Sequence, residues 1–309
     1  MTHLFIINPA AGSRDRTQEF TQAIETHCAQ SDLSCRIAVS AAPGDCTRLA
    51  REAAESGEEY RIYACGGDGT LNEVIQGIAG YENVAVSVYA GGSGNDFIKI
   101  FDQPQAFTDL PRLLDATETT FDLIDCNGSL CMNICSVGFD ARIGLDMSKF
   151  KHLPLLHGYG AYAASTVLNI IKGISEHYII QVNGETLDAR QTLVCACNGR
   201  HYGGDFHPVP TADPADGLLD VLIVKGVSRL KLARLIGIYK AGNYPSLPEY
   251  VRHLKTKDIK ILCDKPTAIQ LDGEMRIAQE FHIRISDKKI RFFYPRQLSW
   301  QVAEPVAAK

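Results

Sequence analysis

Three glycines, an aspartate and a threonine separate an apolar run from an amphipathic one in the stretch YACGGDGTLNEVIQG, residues 63–77. A ligand can contact a glycine backbone directly because no side chain covers it. Thr70 and Glu73 have the spacing of a capping box, which predicts that a helix begins at Thr70. The free amides and the dipole of a helix N-terminus favour phosphate. A plain turn needs one glycine, so the stretch predicts a phosphate-binding loop. Its glycines are Gly66, Gly67 and Gly69.

Asp68 lies inside this loop and places a negative charge where phosphate is expected. A carboxylate repels a phosphate unless a cation or a water network lies between them. We therefore expect Asp68 to act through a magnesium ion.

Two further loops that contain glycine follow predicted strands, GGSGNDF at residues 91–97 and NPAAGS at residues 8–13. Asn-Pro by itself would indicate an ordinary turn. The carboxyl ends of parallel strands lie side by side, so the three loops should meet in one crevice. Together they predict a site for a nucleoside triphosphate.

The elements that must position these loops alternate along the first 90 residues. Predicted strands cover residues 3–7, 34–39, 60–65 and 84–89, and predicted helices cover residues 17–27, 45–56 and 71–79. This alternation is typical of an α/β domain with a mostly parallel sheet covered by helices.

The pattern changes after about residue 121. Asn127-Gly128 and Asn183-Gly184 join strand-like runs and favour type I′ hairpins, which implies antiparallel pairing. Residues 258–293 alternate in the manner of strands, whereas residues 228–241 have helical spacing. The second half is predicted to be mostly β with a few helices.

Composition limits the function classes. A length of 309 residues favours two domains, and a net charge of -5 argues against a nucleic-acid partner. The N-terminus lacks the pattern of a secretion signal, so we expect a cytoplasmic protein. The ten cysteines contain no CxxC pair and are predicted to be reduced core thiols. Cys195 and Cys197 fit buried small side chains better than a metal site.

An uncharged stretch at residues 152–171 is flanked by lysines. It is long enough to span a bilayer but contains proline, glycine, histidine and asparagine, which lipid would not tolerate. We predict a surface or groove helix. Contact with an anionic bilayer surface and simple packing on the β domain both remain open.

The motifs GGDGTLNEV and GGSGNDF, followed by ADPADGLLDVLIV at 212–224 and IQLDGE at 269–274, resemble the diacylglycerol kinase catalytic domain family. This family includes bacterial lipid kinases, ceramide kinases and sphingosine kinases. The resemblance spans nearly the whole chain. It implies ATP-dependent phosphorylation of diacylglycerol or a related lipid alcohol, in a cleft between an α/β domain and a β-sandwich domain. The implied domains are residues 1–122, to which residues 294–309 often return in such kinases, and residues 123–293.

The resemblance also implies site residues. Glu274 would be the base that accepts the proton of the lipid alcohol, although the residues alone favour a hairpin turn with a solvated glutamate. Asp68 and Asp96 would anchor a water-linked Mg²⁺ network. A structural Mg²⁺ would be held by Asp213, Asp216 and Leu218. The implied ATP contacts are Asn8, Pro9, Ala10, Ala11, Gly12, Ser40, Gly66, Gly67, Gly69, Thr70, Leu71, Asn72, Glu73, Ser93 and Asn95.

Two departures from the family pattern concern positive charge. The family often has lysine directly after the glycine of the first loop, where this chain has Ser13 followed by Arg14 and Arg16. Lys99 stands where arginine is common, which keeps the charge but loses bidentate geometry. The histidines are interpreted as ordinary loop residues. They are His152, His157, His201 and His207.

Two other functions stay open. A GGDGT loop also occurs in NAD kinases, so a soluble-alcohol kinase is one alternative. A nucleotide-binding regulator without turnover is another, because of the missing lysine. The expected partners are a lipid substrate and the membrane surface, with a homodimer left open.

Overall fold

The computed structural model describes residues 1–31, 33–150, 159–203 and 206–300, with the side chains of 147–150 and 159–164 outside the description. Within these ranges thirteen strands join in one continuous hydrogen-bonded sheet. The predicted fold class is confirmed. An N-terminal α/β domain precedes a C-terminal β-sandwich-like domain with inserted helices.

The N-terminal part alternates as predicted. Its elements are β1 (Thr2–Ile7), α1 (Thr17–Gln30), β2 (Cys35–Val39), α2 (Asp45–Glu55), β3 (Tyr60–Gly66), α3 (Asp68–Ile78) and β4 (Val84–Ala90). The four strands are parallel in the order β2-β1-β3-β4. Most of their side chains are buried because helices cover the sheet, as expected of parallel strands.

The helix that follows the glycine loop begins earlier than the capping box predicts. α3 starts at Asp68 after an extended Gly67, and no side chain caps its first turn. Thr70 Oγ1 accepts a hydrogen bond from Asn8 Nδ2 (3.0 Å), and Glu73 Oε2 accepts one from the Gly44 amide (3.1 Å). The capping-box prediction is therefore wrong, because both side chains bond neighbouring loops instead of their own helix.

The C-terminal part is mostly antiparallel. After α4 (Leu110–Leu114) its elements are β5 (Ala116–Cys126), β6 (Ser129–Cys131), β7 (Ile134–Gly138), α5 (Phe139–Phe150), α6 (Tyr159–Lys172), β8 (Glu176–Val182), β9 (Glu185–Cys197), β10 (Leu219–Lys225), α7 (Arg229–Lys240), β11 (Val251–Thr256), β12 (Asp258–Leu271) and β13 (Glu274–Pro295). Both predicted Asn-Gly hairpins are confirmed, since each pair has positive φ at both residues. Asp272-Gly273 forms a third turn of this kind between β12 and β13.

One long strand connects the two parts. β13 pairs with β12 at its beginning, with β5 along its length, and with β4 where Phe292 meets Val86. Phe292, Phe293 and Leu298 are buried in the core of the N-terminal part. Residues 301–309 of the predicted returning segment lie outside the described residues. The boundary near residue 122 stays a prediction, since β5 contributes side chains to both cores.

The cysteine prediction is wrong for one pair. Cys28 and Cys35 form a disulfide that joins the end of α1 to the start of β2. The chain reverses between these elements and brings two cysteines together that are seven residues apart. The other eight cysteines are buried and free. Cys195 Sγ and Cys197 Sγ lie 3.5 Å apart inside the sheet.

The uncharged stretch is helical in its second part, which lies within α6. Residues 152–158, with His152 and His157, lie outside the described residues. Among the helices of the described residues, none combines the length and apolar character that crossing a membrane requires.

Candidate functional site

The three glycine loops contact one another at the carboxyl edge of the parallel sheet. The amides of Gly91 and Gly92 donate to the Gly66 carbonyl (2.8 and 3.0 Å). A Cβ added to Gly67 would lie 2.9 Å from the Cα of Gly92, and one on Gly12 would lie 2.7 Å from the Gly91 carbonyl oxygen. These glycines are thus required by the contact between loops.

Gly69 differs from the other glycines of the motif. It lies in the first turn of α3, is exposed, and has no atom within 4 Å of an added Cβ. Packing does not explain this glycine. Its open side faces the space where a phosphate could approach the helix N-terminus.

Asp68 and Asp96 form an acidic pair at this edge. Asp68 Oδ1 accepts hydrogen bonds from the amides of Asp96 (2.6 Å) and Phe97 (3.3 Å). Asp96 Oδ1 lies 2.5 Å from Lys99 Nζ. Burial and, after it, the charge of Asp96 raise the pKa of Asp68 to about 6, although the hydrogen bonds from the two amides act in the opposite direction. Mg²⁺ prefers hard oxygen ligands, and a cation bound by the two carboxylates would relieve their mutual repulsion. The acidic pair therefore fits Mg²⁺.

Asp272 brings the β12–β13 turn to the acidic pair. Its carboxylate accepts hydrogen bonds from the amides of Met132 (2.7 Å), Asn133 (3.1 Å) and Ile134 (2.8 Å). Burial raises the pKa of Asp272, and the three amides lower it in part. Asp272 and Asp68 line the same cavity, and the negative charge of Asp272 contributes to the raised pKa of Asp68. The Asp272-Gly273 turn is visible in the sequence, but this anchoring role of Asp272 is not.

Glu274 directly follows that turn. Its side chain is 57% exposed and its Oε2 lies 3.7 Å from Arg276 NH1. Gly273 and Met275 on either side of it line the same cavity as Asp68. Glu274 itself is not among the residues that line this cavity, and its role as a base stays a prediction.

The residues expected to contact ATP occupy different environments. Asn8 ties the first loop to α3 through Thr70. Asn95 has a positive φ of 48° and donates to the Gly92 carbonyl. Leu71 is buried in the core, so any contact from it would use its backbone. Ser93, Ala10 and Gly12 are exposed at the loop surfaces, whereas Ser40, Asn72 and Thr70 are buried, and Pro9, Ala11 and Glu73 are intermediate.

The positive charges around the loops are distributed unequally. Arg16 donates to the Ala90 carbonyl, stacks over Phe20 at 4.8 Å and pairs with Glu19. Arg14 is exposed and also pairs with Glu19. Arg16 therefore contacts the end of β4, next to the loop at residues 91–97. Which arginine replaces the family lysine stays a prediction.

The predicted structural metal loop is anchored by protein groups. Asp216 Oδ1 accepts from the Leu218 amide (2.9 Å), and its Oδ2 lies 2.6 Å from Lys255 Nζ. Asp122 Oδ2 accepts from the Gly217 amide (2.8 Å), and Asp213 Oδ1 accepts from an amide within the loop. Lys255 supplies positive charge where the resemblance places Mg²⁺, so the ion would have to displace it. No cluster of three or more His, Cys, Asp or Glu suited to a metal occurs among the described residues.

Two of the loop histidines form a stacked pair near the site. The rings of His201 and His207 are 4.0 Å apart between centroids and nearly parallel, at 8°. Burial and, after it, the neighbouring His207 lower the pKa of His201 to about 4, so the His201 ring is neutral at pH 7. Burial also lowers the pKa of His207. The His201 carbonyl accepts from Asn133 Nδ2 (2.6 Å), which ties this loop to the Asp272 anchor.

An apolar cavity opens onto the acidic residues. It has a volume of about 550 Å³ and includes Asp68, Asp96 and Asp272 among its lining residues. Most of its wall is hydrocarbon from α5, α7 and the strands β9 and β10. Examples are Phe139, Ile143, Leu193, Val224, Leu232 and Leu235. The helical spacing of residues 228–241 predicts α7, but nothing in the sequence shows that the apolar side of this helix faces a cavity.

Comparisons with known proteins concern the family and the fold of the chain. The model of the diacylglycerol kinase catalytic domain matches residues 2–126, and that of the YegS C-terminal NAD kinase beta sandwich-like domain matches residues 133–293. A Staphylococcus carnosus protein named "Putative lipid kinase" is 22% identical over 281 residues, which cover 89% of this chain and 90% of that protein. A Staphylococcus epidermidis protein of the same name is 25% identical over 235 residues, 74% of this chain and 75% of its own.

A solved structure shows the same fold. The crystal structure of a diacylglycerol kinase from Bacillus anthracis superimposes with a TM-score of 0.69 at 21% identity, covering 96% of this chain and 97% of that chain. With both halves matched in order, the chain carries a diacylglycerol kinase catalytic domain and belongs, through the match over its larger second part, to the YegS C-terminal NAD kinase beta sandwich-like domain family.

Proposed function

We propose that this protein is an ATP- and Mg²⁺-dependent lipid kinase that phosphorylates the hydroxyl of diacylglycerol or a related lipid alcohol. The observation that supports this proposal best is the apolar cavity that opens onto Asp68, Asp96 and Asp272 beside the glycine loops. A lipid whose chains fill the cavity would present its hydroxyl among the carboxylates, where the terminal phosphate of a nucleotide at the loops would also lie.

The chain's own groups cover the tasks of phosphoryl transfer, which are alignment and charge neutralisation. Backbone amides of the glycine loops and the N-terminus of α3 would hold the phosphates. Asp68 and Asp96 would hold Mg²⁺, which would neutralise charge on the transferred group. Lys99 already neutralises part of the charge of Asp96.

Glu274 is the proposed general base. Asp272 holds the turn before it by three backbone hydrogen bonds, so the position of Glu274 relative to the acidic pair is restricted. Its exposed carboxylate could accept the proton of the lipid hydroxyl as the oxygen attacks the phosphorus. Asp213, Asp216 and Leu218 remain the proposed ligands of a structural Mg²⁺.

The acceptor must reach the enzyme from a bilayer, and one surface suits such contact. Val167, Ile171 and Leu230 are 56%, 66% and 65% exposed although apolar. Lys172 follows on α6, and Arg229 donates to the carbonyls of residues 170 and 171. Exposed apolar side chains with adjacent positive charge favour an anionic lipid surface. We therefore propose a cytoplasmic enzyme that contacts the membrane peripherally.

The test is transfer from labelled ATP to a total lipid extract, with products identified by mass spectrometry. We expect one class of phosphorylated lipid alcohol to form only when Mg²⁺ is present. NAD and soluble alcohols are tested in parallel, because the alternative kinase would phosphorylate those and leave the lipids unlabelled. Nucleotide binding without transfer to any acceptor would favour the regulator without turnover.

A further inference from the structure

The position of Glu274 depends on the backbone of the turn before it. Its side chain is exposed, and its Oε2 lies 3.7 Å from Arg276 NH1, a pairing too open to solvent to fix a carboxylate. Asp272 holds the turn through the amides of residues 132–134. A second side chain, that of Gln270, also bonds this turn. The transfer chemistry proposed above gives Gln270 no task.

Gln270 bonds an amide of the turn that strand pairing does not use. Leu271 and Glu274 pair across the turn, so the amide of Gly273 between them takes no part in the ladder of β12 and β13. Gln270 Oε1 accepts a hydrogen bond from this amide (3.0 Å). Because the Gln270 side chain is buried, a side chain inside the protein fixes the residue directly before the proposed base.

The amide of Gln270 is itself oriented by residues of β7 and α5. Ser136 lies directly opposite Gln270 in the pairing of β7 with β12, so both side chains lie on one face of the sheet. The Ser136 hydroxyl donates to Asp140 Oδ2 (2.6 Å), and the amide of Ala141 donates to Asp140 Oδ1 (2.7 Å). Since Ser136 has one proton to donate, its oxygen accepts from Gln270 Nε2 (3.2 Å). This arrangement directs Oε1 of Gln270 at Gly273.

We propose that Gln270 is a positioning residue that holds the turn of Glu274 in the geometry needed for proton transfer. This inference rests on the proposed function, because Gln270 acts only through the proposed base. A displacement of about 1 Å at a reacting group can lower a rate by about a hundredfold. Three hydrogen bonds, from Gly273 through Gln270 and Ser136 to Asp140, limit such a displacement.

Gln270 also lines the apolar cavity, so direct contact with the acceptor is the competing explanation. The two explanations differ in how the effects of Gln270 and Glu274 combine. A residue that acts only by placing the base has nothing left to place in Glu274→Gln, whereas a residue that contacts the acceptor keeps its contribution there. A double-mutant cycle measures this difference.

The experiment measures transfer of labelled phosphate from ATP to dioleoylglycerol in mixed micelles by Gln270→Met, Glu274→Gln and the double variant. Methionine keeps the length of the side chain and removes both hydrogen bonds. We expect Gln270→Met to lower kcat by about 10- to 100-fold in the otherwise unchanged enzyme, with KM for ATP within about twofold of wild type. In the Glu274→Gln background the same change should lower kcat by less than about twofold.

Gln191→Met is the matched control. Gln191 is also a buried glutamine of the sheet, but its strand neighbours are Glu176 and Lys225 instead of residues near the turn. This variant should keep kcat within about twofold of wild type even if its melting temperature falls. If Gln270→Met fails to fold, Ser136→Ala tests the same relay, because it removes the bond that orients Gln270. It should lower kcat by about three- to tenfold, and only when Glu274 is present.

The outcomes separate the positioning role from the proposed function. An equal factor of loss in both backgrounds, or wild-type kcat in Gln270→Met, would overturn the role of Gln270 and leave the lipid kinase and its base intact. Wild-type kcat in Glu274→Gln would remove the proposed base, and the role of Gln270 with it. If the wild-type enzyme labels an acceptor other than lipid, the proposed lipid kinase fails, and the same cycle on that acceptor still decides the role of Gln270.

Discussion

The glycine-loop edge and the apolar cavity are the two halves of the site, and they are built in opposite ways. The edge consists of backbone from three short contiguous motifs, in which glycines let the loops touch. The cavity consists of side chains drawn from α5, α7 and several strands, with no local motif. A site made of backbone needs particular residues at particular positions, whereas a wall of hydrocarbon can be assembled from many sequences. The first is therefore visible in a sequence and the second is not.

The largest expected effect comes from the carboxylates where the two halves meet. Asp68→Asn keeps an acceptor for the Asp96 amide but removes the charge, and Glu274→Gln removes the proposed base. We expect each to lower kcat by about 10²–10⁴-fold, as loss of charge stabilisation or of a base typically does. Glu280→Gln, the same change at an exposed position farther along β13, is the control and should keep most of the activity. Turnover within threefold of wild type in either acidic variant would remove that residue from the mechanism.

Filling the apolar cavity should lower lipid phosphorylation and leave ATP binding at the glycine-loop edge unchanged. Leu235→Trp adds volume to the apolar wall, so we expect lipid phosphorylation to fall by roughly 10- to 100-fold while ATP affinity stays within about twofold. Ala233→Trp introduces the same side chain at an exposed position of the same helix, is the control, and should leave both quantities near the wild-type values. Equal losses of ATP affinity and lipid transfer in Leu235→Trp would show that the two halves are not separate.

Within the edge, two glycines should respond differently to alanine. A Cβ on Gly67 would press on the Gly92 backbone, so Gly67→Ala should lower the free energy of unfolding by about 1–3 kcal/mol. A Cβ on Gly69 meets nothing, and alanine suits a helix better, so Gly69→Ala should be neutral or slightly stabilising. If a phosphate approaches Gly69, that variant should nevertheless bind ATP about tenfold more weakly. Calorimetry of unfolding and of ATP binding measures both quantities, and full ATP affinity in Gly69→Ala would place the phosphates elsewhere.

The smallest expected effect is the change in stability with pH that the Asp68 carboxyl causes in protein without bound metal or nucleotide. Its folded pKa of about 6 exceeds the ordinary value of 3.8, so between these pH values the folded chain holds a proton that the unfolded chain has released. The contribution of this group to stability therefore falls as pH rises from about 4 to 6. In metal-free protein, Asp68→Asn should become the more stable form above pH 6, by at most about 2 kcal/mol after allowance for partial exposure. Unfolding curves at pH 4.5 and 8 check this, and a difference that does not change with pH would contradict it.

Several features could be predicted from the sequence because they depend on residues that are close together along the chain. The Asn-Gly hairpins follow from the preference of these residues for positive φ, and the alternation of the first 90 residues follows from the spacing of apolar side chains. The family resemblance depended on the same contiguous motifs. Its matched regions cover both halves of the chain.

Other features depended on partners that are distant in sequence. Thr70 and Glu73 have a capping-box spacing, but their side chains accept hydrogen bonds from Asn8 and Gly44, which lie in other loops. Cys28 and Cys35 pair because a chain reversal brings their backbones together, a geometry that cysteine spacing does not encode. Asp272 likewise acts on amides some 140 residues earlier in the chain.

The sequence by itself determined where backbone must stay uncovered and where the chain must turn, because those demands fall on single residues and their immediate neighbours. Only the tertiary structure decided that the glycines let the loops contact one another, and that three carboxylates line one apolar cavity. The physical reason is that contacts, burial and hydrogen bonds between distant segments exist only after β13 has joined the two parts of the chain.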